Sequence, residues 1–540
     1  MRIKNIKIRN FKCLGPDEIT LDFSENIIVL VGENNVGKSS VLNALGKYFS
    51  GEKSIPVDYF YENKTDHDHA VVITCAFNNL SDGDKSHKAI SSYITLEDGE
   101  ELWIFKKVFY YNSEGKSVYE HYAVVNGEEK QNPGGLSTNP ADLFTEDKMQ
   151  KIFIKAVEDI KDISDSNSKT PFSQVFSMII KSQLEGHEKF KNLLDALKEY
   201  RELFQGTGQI PQIKNLENDI NKKLSRIFPA VGKIDSDPPK IDRILPVPKF
   251  LTNDNRVVDI KPTEQGHGLQ RTIIFTLLEI LAERTSPSTK STGTNNLLLV
   301  EEPEIYMHPQ MERKISDTLY KIALDGETQV ICTTHSPIFI KIADKHKALA
   351  IVKRTIDNKV VVTQQNEIFE IENRDNYKKK LRMITNFDPS VNEAFFAKRV
   401  VLVEGDTEIA VFREASELLG YFDSEDNKHK KRDTTFINCR GKLTINLFQE
   451  VLKHFKIDYV VIHDKDDEDF EKGKNAAILK LLENKEKRMC FNTKIEEQLG
   501  IKEENKDKPI KALEKVHSLY EEGKLEEKLG KFVKFAYNIT

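Results

Sequence analysis

Phosphate chemistry is the first possibility this chain raises. Residues Gly32 to Ser40 read GENNVGKSS, so Gly32 and Gly37 bracket four residues and Lys38 and Ser39 follow. Glycines at those places let backbone N–H groups close around phosphate oxygens. Lys38 would then reach the β/γ-phosphates of a nucleotide, and Ser39 would ligate Mg²⁺. Asn34 and Ser40 belong to the same stretch. Asn35 stands where glycine would be easiest, and asparagine is the next best residue for a left-handed backbone.

A second group, LLLVEEPE, sets Glu301 and Glu302 straight after four apolar residues. The first acid would hold Mg²⁺, directly or through water, and the second would polarise the attacking water. The plain alternative is a charged turn after a core strand. ICTTHSP then sets His335 past the end of another apolar run, within reach of a γ-phosphate. A histidine is equally ordinary there as a satisfied surface or core residue. In EQGHGLQR, Gly266 and Gly268 open a helical pattern. The N-terminus of that helix would meet a γ-phosphate presented by a second subunit.

Carboxylates form the third group. RVVLVEGDTE places Glu404 after a short apolar run, with Asp406 and Glu408 close behind. YVVIHDKDDED places Asp464 and Asp466 in the same relation to another run. Acids at strand ends of an α/β unit face one edge of the sheet, where ligands bind. Several gathered there repel one another unless a divalent cation lies between them, and oxygen ligands suit Mg²⁺ or Mn²⁺. Asp467, Glu468 and Asp469 read as a solvated charged loop.

Particular elements must hold these residues. NIIVLVG is a continuous apolar run, as in a buried strand, and SSVLNALGKYF follows with helical spacing. RVVLVEGDTEIAVFREASELL repeats that strand–turn–helix order, with Gly405 allowing a sharp turn. IKNIKIRNFKCL and EITLDF predict a hairpin-like start; HAVVITCAF, SSYITLE and LWIFKKVFYY predict further strands, with Trp103 packing in the last. Between 142 and 227, EDKMQKIFIKAVEDI and HEKFKNLLDALKEYRELF predict charged amphipathic helices. That insertion is either a surface pair or a dimerisation element. The expected divisions are 1–141 and 228–375 for the first domain, 142–227 for the insertion, 376–397 for a linker and 398–540 for the second domain.

Composition narrows the field. The 540 residues are 39% hydrophobic and 31% charged, with a formal net charge of −6, so any nucleic-acid surface must be local. YKKKLR, Tyr377 to Arg382, and KHKKR, Lys428 to Arg432, are the two basic clusters that would grip phosphates without reading sequence. The five cysteines are scattered without C-x-x-C spacing, which fits a reducing cytoplasm. No run approaches the roughly 18 apolar residues of a membrane span.

GENNVGKS and LLLVEEPE together resemble the ABC-type ATPases of the SMC and Rad50 kind, with GHGLQR standing for their signature motif although it departs from L-S-G-G-Q. The resemblance implies ATP sandwiched between two heads, hence at least a homodimer; no long heptad run provides a coiled-coil arm. LVEGDTE and HDKD resemble the strands of a Toprim domain. The combination is similar to the OLD (overcoming lysogenisation defect) family of ATP-dependent nucleases and to the Gabija antiphage nuclease subunit. It implies an α/β fold, an ABC-type head with a helical insertion followed by a Rossmann-like Toprim domain. It also implies an acidic core of Glu404, Glu408, Asp464 and Asp466 holding two metal ions. TKIEEQLG resembles the later acidic motif, with Glu496 the best match and Glu497 the other, and DKPIKALE the following K-P motif, so that Lys508 would stabilise developing negative charge.

The expected activity is therefore an ATP-regulated, metal-dependent DNA endonuclease or nickase. Its cofactors would be ATP with one metal ion, and Mg²⁺ or Mn²⁺ at the acids. It would act in antiphage or mobile-element defence, without strong sequence readout, with a possible helicase-type partner encoded elsewhere. The rival is an SMC-like DNA-clamping ATPase whose Toprim module only binds. A strand-joining Toprim enzyme would need a nucleophilic tyrosine in a separate domain, and no tyrosine is so placed.

Overall fold

Ile27–Val31 (β1) is buried along its whole length, and the sheet around it explains why. In the computed structural model β1 lies second-neighbour to Asn295–Glu301 (β3) and directly beside Thr328–Thr333 (β4) and Leu349–Arg354 (β5), all four parallel. Met149–Ile154 (β2) and Val360–Gln364 (β6) complete a six-stranded sheet of order β6–β5–β1–β4–β3–β2. Strands covered on both faces need no polar alternation, which is why these segments read as unbroken apolar runs. The structure describes residues 1–135, 143–144, 149–156, 187–203, 209–224, 267–284, 295–324, 326, 328–355, 357–365, 379, 381–383, 385, 389–465, 473–501 and 507–539.

Lys38–Tyr48 (α1) follows β1 and its loop. Two lysines complement the negative end of this helix: Lys107 Nζ donates to Tyr48 O at 2.6 Å and Lys151 Nζ to Gly46 O at 3.1 Å. Burial pushes Lys107 down to about 8. A seven-stranded sheet supplies Lys107, running Ile19–Asp22, Arg2–Arg9, Val71–Asn78, Glu100–Tyr111, Ser117–Val125 and Glu128–Gln131, with Ile94–Glu97 beside Glu100–Tyr111. The hairpin-like start is real, since Arg2–Arg9 and Ile19–Asp22 pair antiparallel.

Two glutamines clasp this sheet to the parallel one. Gln329 accepts from Ile3 N–H at 2.8 Å and donates to Ile3 O at 2.7 Å. Gln364 does the same with Asp22, at 2.9 and 2.7 Å. A primary amide offers one donor and one acceptor side by side, so each mimics a strand partner.

The second parallel sheet comprises Arg399–Val403 (β7), Thr434–Asn438 (β8), Tyr459–Asp464 (β9) and Arg488–Phe491 (β10), in the order β8–β7–β9–β10. Pro309–Leu324 (α2) follows β3 in the chain. Asp406–Leu418 (α3), Glu425–Asp433 (α4), Lys442–His454 (α5), Ile495–Leu499 (α6) and Lys508–Glu521 (α7) accompany the second sheet. Val401, Val403, Val411, Phe412, Phe491, Ile495 and Val516 share one core, in which the rings of Phe491 and Phe532 stack at 4.2 Å. That core seats α3 and α6 against the ends of β7 and β9.

By contacts the chain forms two units, Met1–Lys151 with Asn295–Leu319 and Thr328–Thr540, and Ile152–Thr294 with Tyr320–Glu327. The second holds helices Glu188–Glu202, Pro211–Leu224 and His267–Arg284, and Arg271 there donates to the carbonyls of Lys155 and Ala156. One expectation fails: EDKMQKIFIKAVEDI contains strand β2 rather than a helix over its described part. Ile152 and Ile154 alternate into the core, and pairing at a sheet edge outweighs the charge pattern that suggested a helix.

Replacing Gln329 by Leu would strand the buried N–H and C=O of Ile3. Leaving such groups unsatisfied costs about 1–3 kcal/mol each. We expect Gln329→Leu to lose about 2 kcal/mol or more in chemical denaturation; wild-type stability would contradict the clasp.

Candidate functional site

The phosphate loop has the geometry its sequence implies. Gly32 has φ +152°, and a Cβ there would lie 2.1 Å from Val352 O, so only glycine fits. Gly37 has φ +113° with Cys13 Sγ 3.0 Å from the position of a Cβ. Asn35 is left-handed at φ 61°, as expected of an asparagine replacing glycine. Lys38 is buried and donates to Gly32 O at 3.0 Å and Glu33 O at 2.8 Å. Burial pushes its ammonium down to about 8, against the pull of Glu302, Glu304 and Glu33. Ser39 is the second residue of α1, next to buried Ser40, while Asn34 is exposed.

β4 lies between β1 and β3, so the residue beyond its end faces the acids beyond β3. His335 Nε2 is 3.4 Å from Glu302 Oε1. Burial and the nearby Lys38 lower the imidazole below its usual range, with Glu302 opposing them. Glu301 ends β3, and Glu302 takes a left-handed φ of 43° while its N–H donates to Thr333 O at 2.9 Å. A non-glycine held there is strained, a feature that clusters at functional sites. Glu304 was not foreseen. It accepts from His335 N–H at 2.6 Å, and burial raises its carboxyl. Its signal was the third acid of EEPE, which reads as surface in the sequence alone. Lys38, Glu302, Glu304 and His335 thus share one electrostatic centre.

The second centre lies at the carboxyl edge of β7 and β9. Glu404 follows β7, and its Oε1 accepts from Asp464 N–H at 2.9 Å. Asp464 ends β9, and its Oδ1 accepts from Ile495 N–H at 3.1 Å at the start of α6. Glu408, one turn into α3, is buried. Burial together with Asp464, Glu404 and Glu496 pushes it up to about 8. Glu496 is buried on α6 whereas Glu497 faces solvent. Lys508, the first residue of α7, sits 3.0 Å from Glu496 Oε1. Four carboxylates and one lysine from distant segments therefore meet at one edge.

A divalent cation fits this donor set. Hard carboxylate oxygens gather here, and burial first, then the neighbouring carboxylates, raise Glu408. Among the described residues no three of them yet stand at common ligating distance. Gly405 is not the turn residue expected: its backbone is extended at φ −154°, open to any side chain, and the chain turns into α3 after it.

Asp466 and Gly266 lie outside the described residues, as does Tyr377; Gly268 is the second residue of the helix His267–Arg284 in the second unit. The basic clusters are largely engaged locally. Arg382 pairs with Asp344, Lys431 with Glu417, Arg432 with Asp433 at 3.2 Å, and Lys430 donates to Asn538 O at 2.7 Å.

Two families match the chain. An AAA ATPase domain matches residues 1–340, which hold the phosphate loop, β3 and His335. The chain belongs to this ATPase family. The Toprim domain of overcoming-lysogenization-defect-like proteins matches residues 395–466, which hold Glu404, Glu408 and Asp464. The ATPase is 25% identical to the Old nuclease of Escherichia phage P2 over 76% of its own length and 69% of that protein's. It is 25% identical to the OLD nuclease of Thermus scotoductus over 86% and 82%, and 21% identical to endonuclease GajA of Bacillus cereus over 88% and 78%. The fold is α/β, an ATPase head followed by a Toprim domain. No helix among the described residues is long and apolar enough to cross a membrane.

Because Lys38 must be protonated to meet phosphate, nucleotide affinity should fall as pH rises through about 8. Above that value the loss approaches tenfold per pH unit, since each binding event takes up a proton. Calorimetric titration with a non-hydrolysable ATP analogue between pH 6.5 and 9.5 checks this. A flat profile would contradict a buried, proton-sensitive Lys38.

Proposed function

We propose that this ATPase is a metal-dependent DNA endonuclease or nickase whose cutting centre is the acid cluster at the edge of the second parallel sheet. The convergence of Glu404, Glu408, Asp464 and Glu496 beside Lys508 carries the reading. A structural role alone gives no reason to bury Glu408 among like charges. Bound divalent metal would supply Lewis acidity to a phosphodiester and a nucleophile at neutral pH. The carboxylates would hold Mg²⁺ or Mn²⁺, in our reading as a pair, with Asp466 a further ligand. Lys508, released in part from Glu496, would face the charge that develops on phosphate.

The nucleotide centre is the controlling element. Lys38, Ser39 and Glu301 would hold ATP and its metal ion, Glu302 would orient water, and His335 would meet the γ-phosphate. The N-terminus of helix His267–Arg284, which carries Gly268, would face ATP on a partner copy, which makes the working unit a homodimer. Exposed Tyr200, Leu203, Leu216 and Ile220 in the insertion are consistent with that assembly. The names of the relatives, two Old/OLD nucleases and an endonuclease, support the nuclease reading, and a defence role against phage or mobile elements accompanies it. DNA would be gripped by its backbone, without direct base readout.

Supercoiled plasmid is the test substrate. Wild-type protein should nick or linearise it with Mn²⁺. Asp464→Ala should reduce cutting by at least about 10³-fold, the order seen when an essential electrostatic group is lost, yet bind ATP normally. Lys38→Ala should lose nucleotide binding and keep its metal site. ATP hydrolysis with the plasmid left intact would instead indicate a clamp.

A further inference from the structure

Beside the acids lies a buried imidazole without a task so far. His463 precedes Asp464 on β9 and is fully enclosed. Its Nε2 accepts from Arg488 Nε–H at 2.7 Å, with Cys490 Sγ 3.2 Å away on the same side. A ring nitrogen that accepts carries no proton, so the proton of this imidazole is on Nδ1. That N–H points at Asp464 O, 2.6 Å away, with Glu404 Oε1 at 3.9 Å. The guanidinium donating to Nε2 thus fixes the ring in one tautomer and one orientation.

The consequence falls on two acids of the centre. Glu404 Oε1 already accepts from Asp464 N–H, so His463 closes a ring of contacts joining the peptide of Asp464, the Glu404 carboxylate and the imidazole. We infer that His463, locked by Arg488, is a positioning residue that orients Glu404 and Asp464 toward a common divalent cation. This rests on the metal-dependent reading above and adds to it the pair of residues that tune the site. Groups behind metal ligands fix ligand orientation, and their loss lowers metal affinity on the order of 10–100-fold.

Mn²⁺ binding to the full chain without nucleotide, followed by calorimetry, is the experiment, with Asp464→Ala as the reference that reports the acid site. His463→Leu should weaken Mn²⁺ binding on the order of 10–100-fold while turnover at saturating Mn²⁺ changes little. His463→Asn, whose amide N–H overlays Nδ1–H, should recover part of the affinity. In ¹⁵N-histidine-labelled wild type, long-range ¹H–¹⁵N spectra should show His463 with its proton on Nδ1, and Arg488→Met should release that tautomer. The spectra also serve should His463→Leu fail to fold. Unchanged Mn²⁺ affinity in folded His463→Leu, or a ring protonated on Nε2, overturns the inference and leaves the nuclease reading standing. Wild type and Asp464→Ala binding Mn²⁺ alike would overturn both.

Discussion

Like charge gathered in a small, partly dry space is the constraint around which the second half of this protein is built. Glu404, Glu408, Asp464 and Glu496 come from three elements and the turn after β7, and each is placed by something other than attraction to the rest. Backbone N–H groups hold Glu404 and Asp464; the apolar core beneath α3 and α6 carries Glu408 and Glu496. The repulsion is left visible in Glu408, which burial and three neighbouring acids push up to about 8. A fold that maintains such a cluster is prepared for a compensating charge. Lys508 supplies one, against Glu496.

The nucleotide centre obeys the opposite arrangement, a buried cation among backbone carbonyls and distant acids. Both centres lie at the carboxyl ends of parallel strands, where ligands of α/β sheets bind. They are nevertheless not face to face. The phosphate loop adjoins the amino end of the Toprim sheet: Glu33 is 3.9 Å from Lys398, which also binds Asp433 at 3.0 Å. Lys353, just after the residue whose carbonyl packs on Gly32, is lowered by burial and drawn on by Asp458 and Glu33. Asp458 precedes β9 and Asp464 ends it, so roughly 20 Å of strand separates this junction from the acids.

Much of this was legible in the sequence because the determining signals are local. A fully buried parallel strand must be an apolar run, and a loop that wraps phosphate must place glycine where Cβ would strike Val352 O. Glu404 and Asp464 could be found because each follows such a run. Glu496 over Glu497 could not be decided by spacing; the side on which α6 packs decides it. Glu304 and His463 were missed for the same reason. Nothing in EEPE or VVIHD says that the third acid turns inward, or that a histidine within a buried strand is met by an arginine two positions along the neighbouring strand. Strand β2 was misread because charge and spacing in EDKMQKIFIKAVEDI fit an amphipathic helix, while its partner strand lies far away in the chain.

The central claim is that the acids form a divalent-cation site. A crystal of the wild-type protein grown with Mn²⁺ and without nucleotide, measured for anomalous scattering, tests it most directly. The account predicts an anomalous peak enclosed by Glu404, Glu408, Asp464 and Glu496. Strong anomalous peaks confined to the phosphate loop, with the acid edge showing none at saturating Mn²⁺, would contradict it.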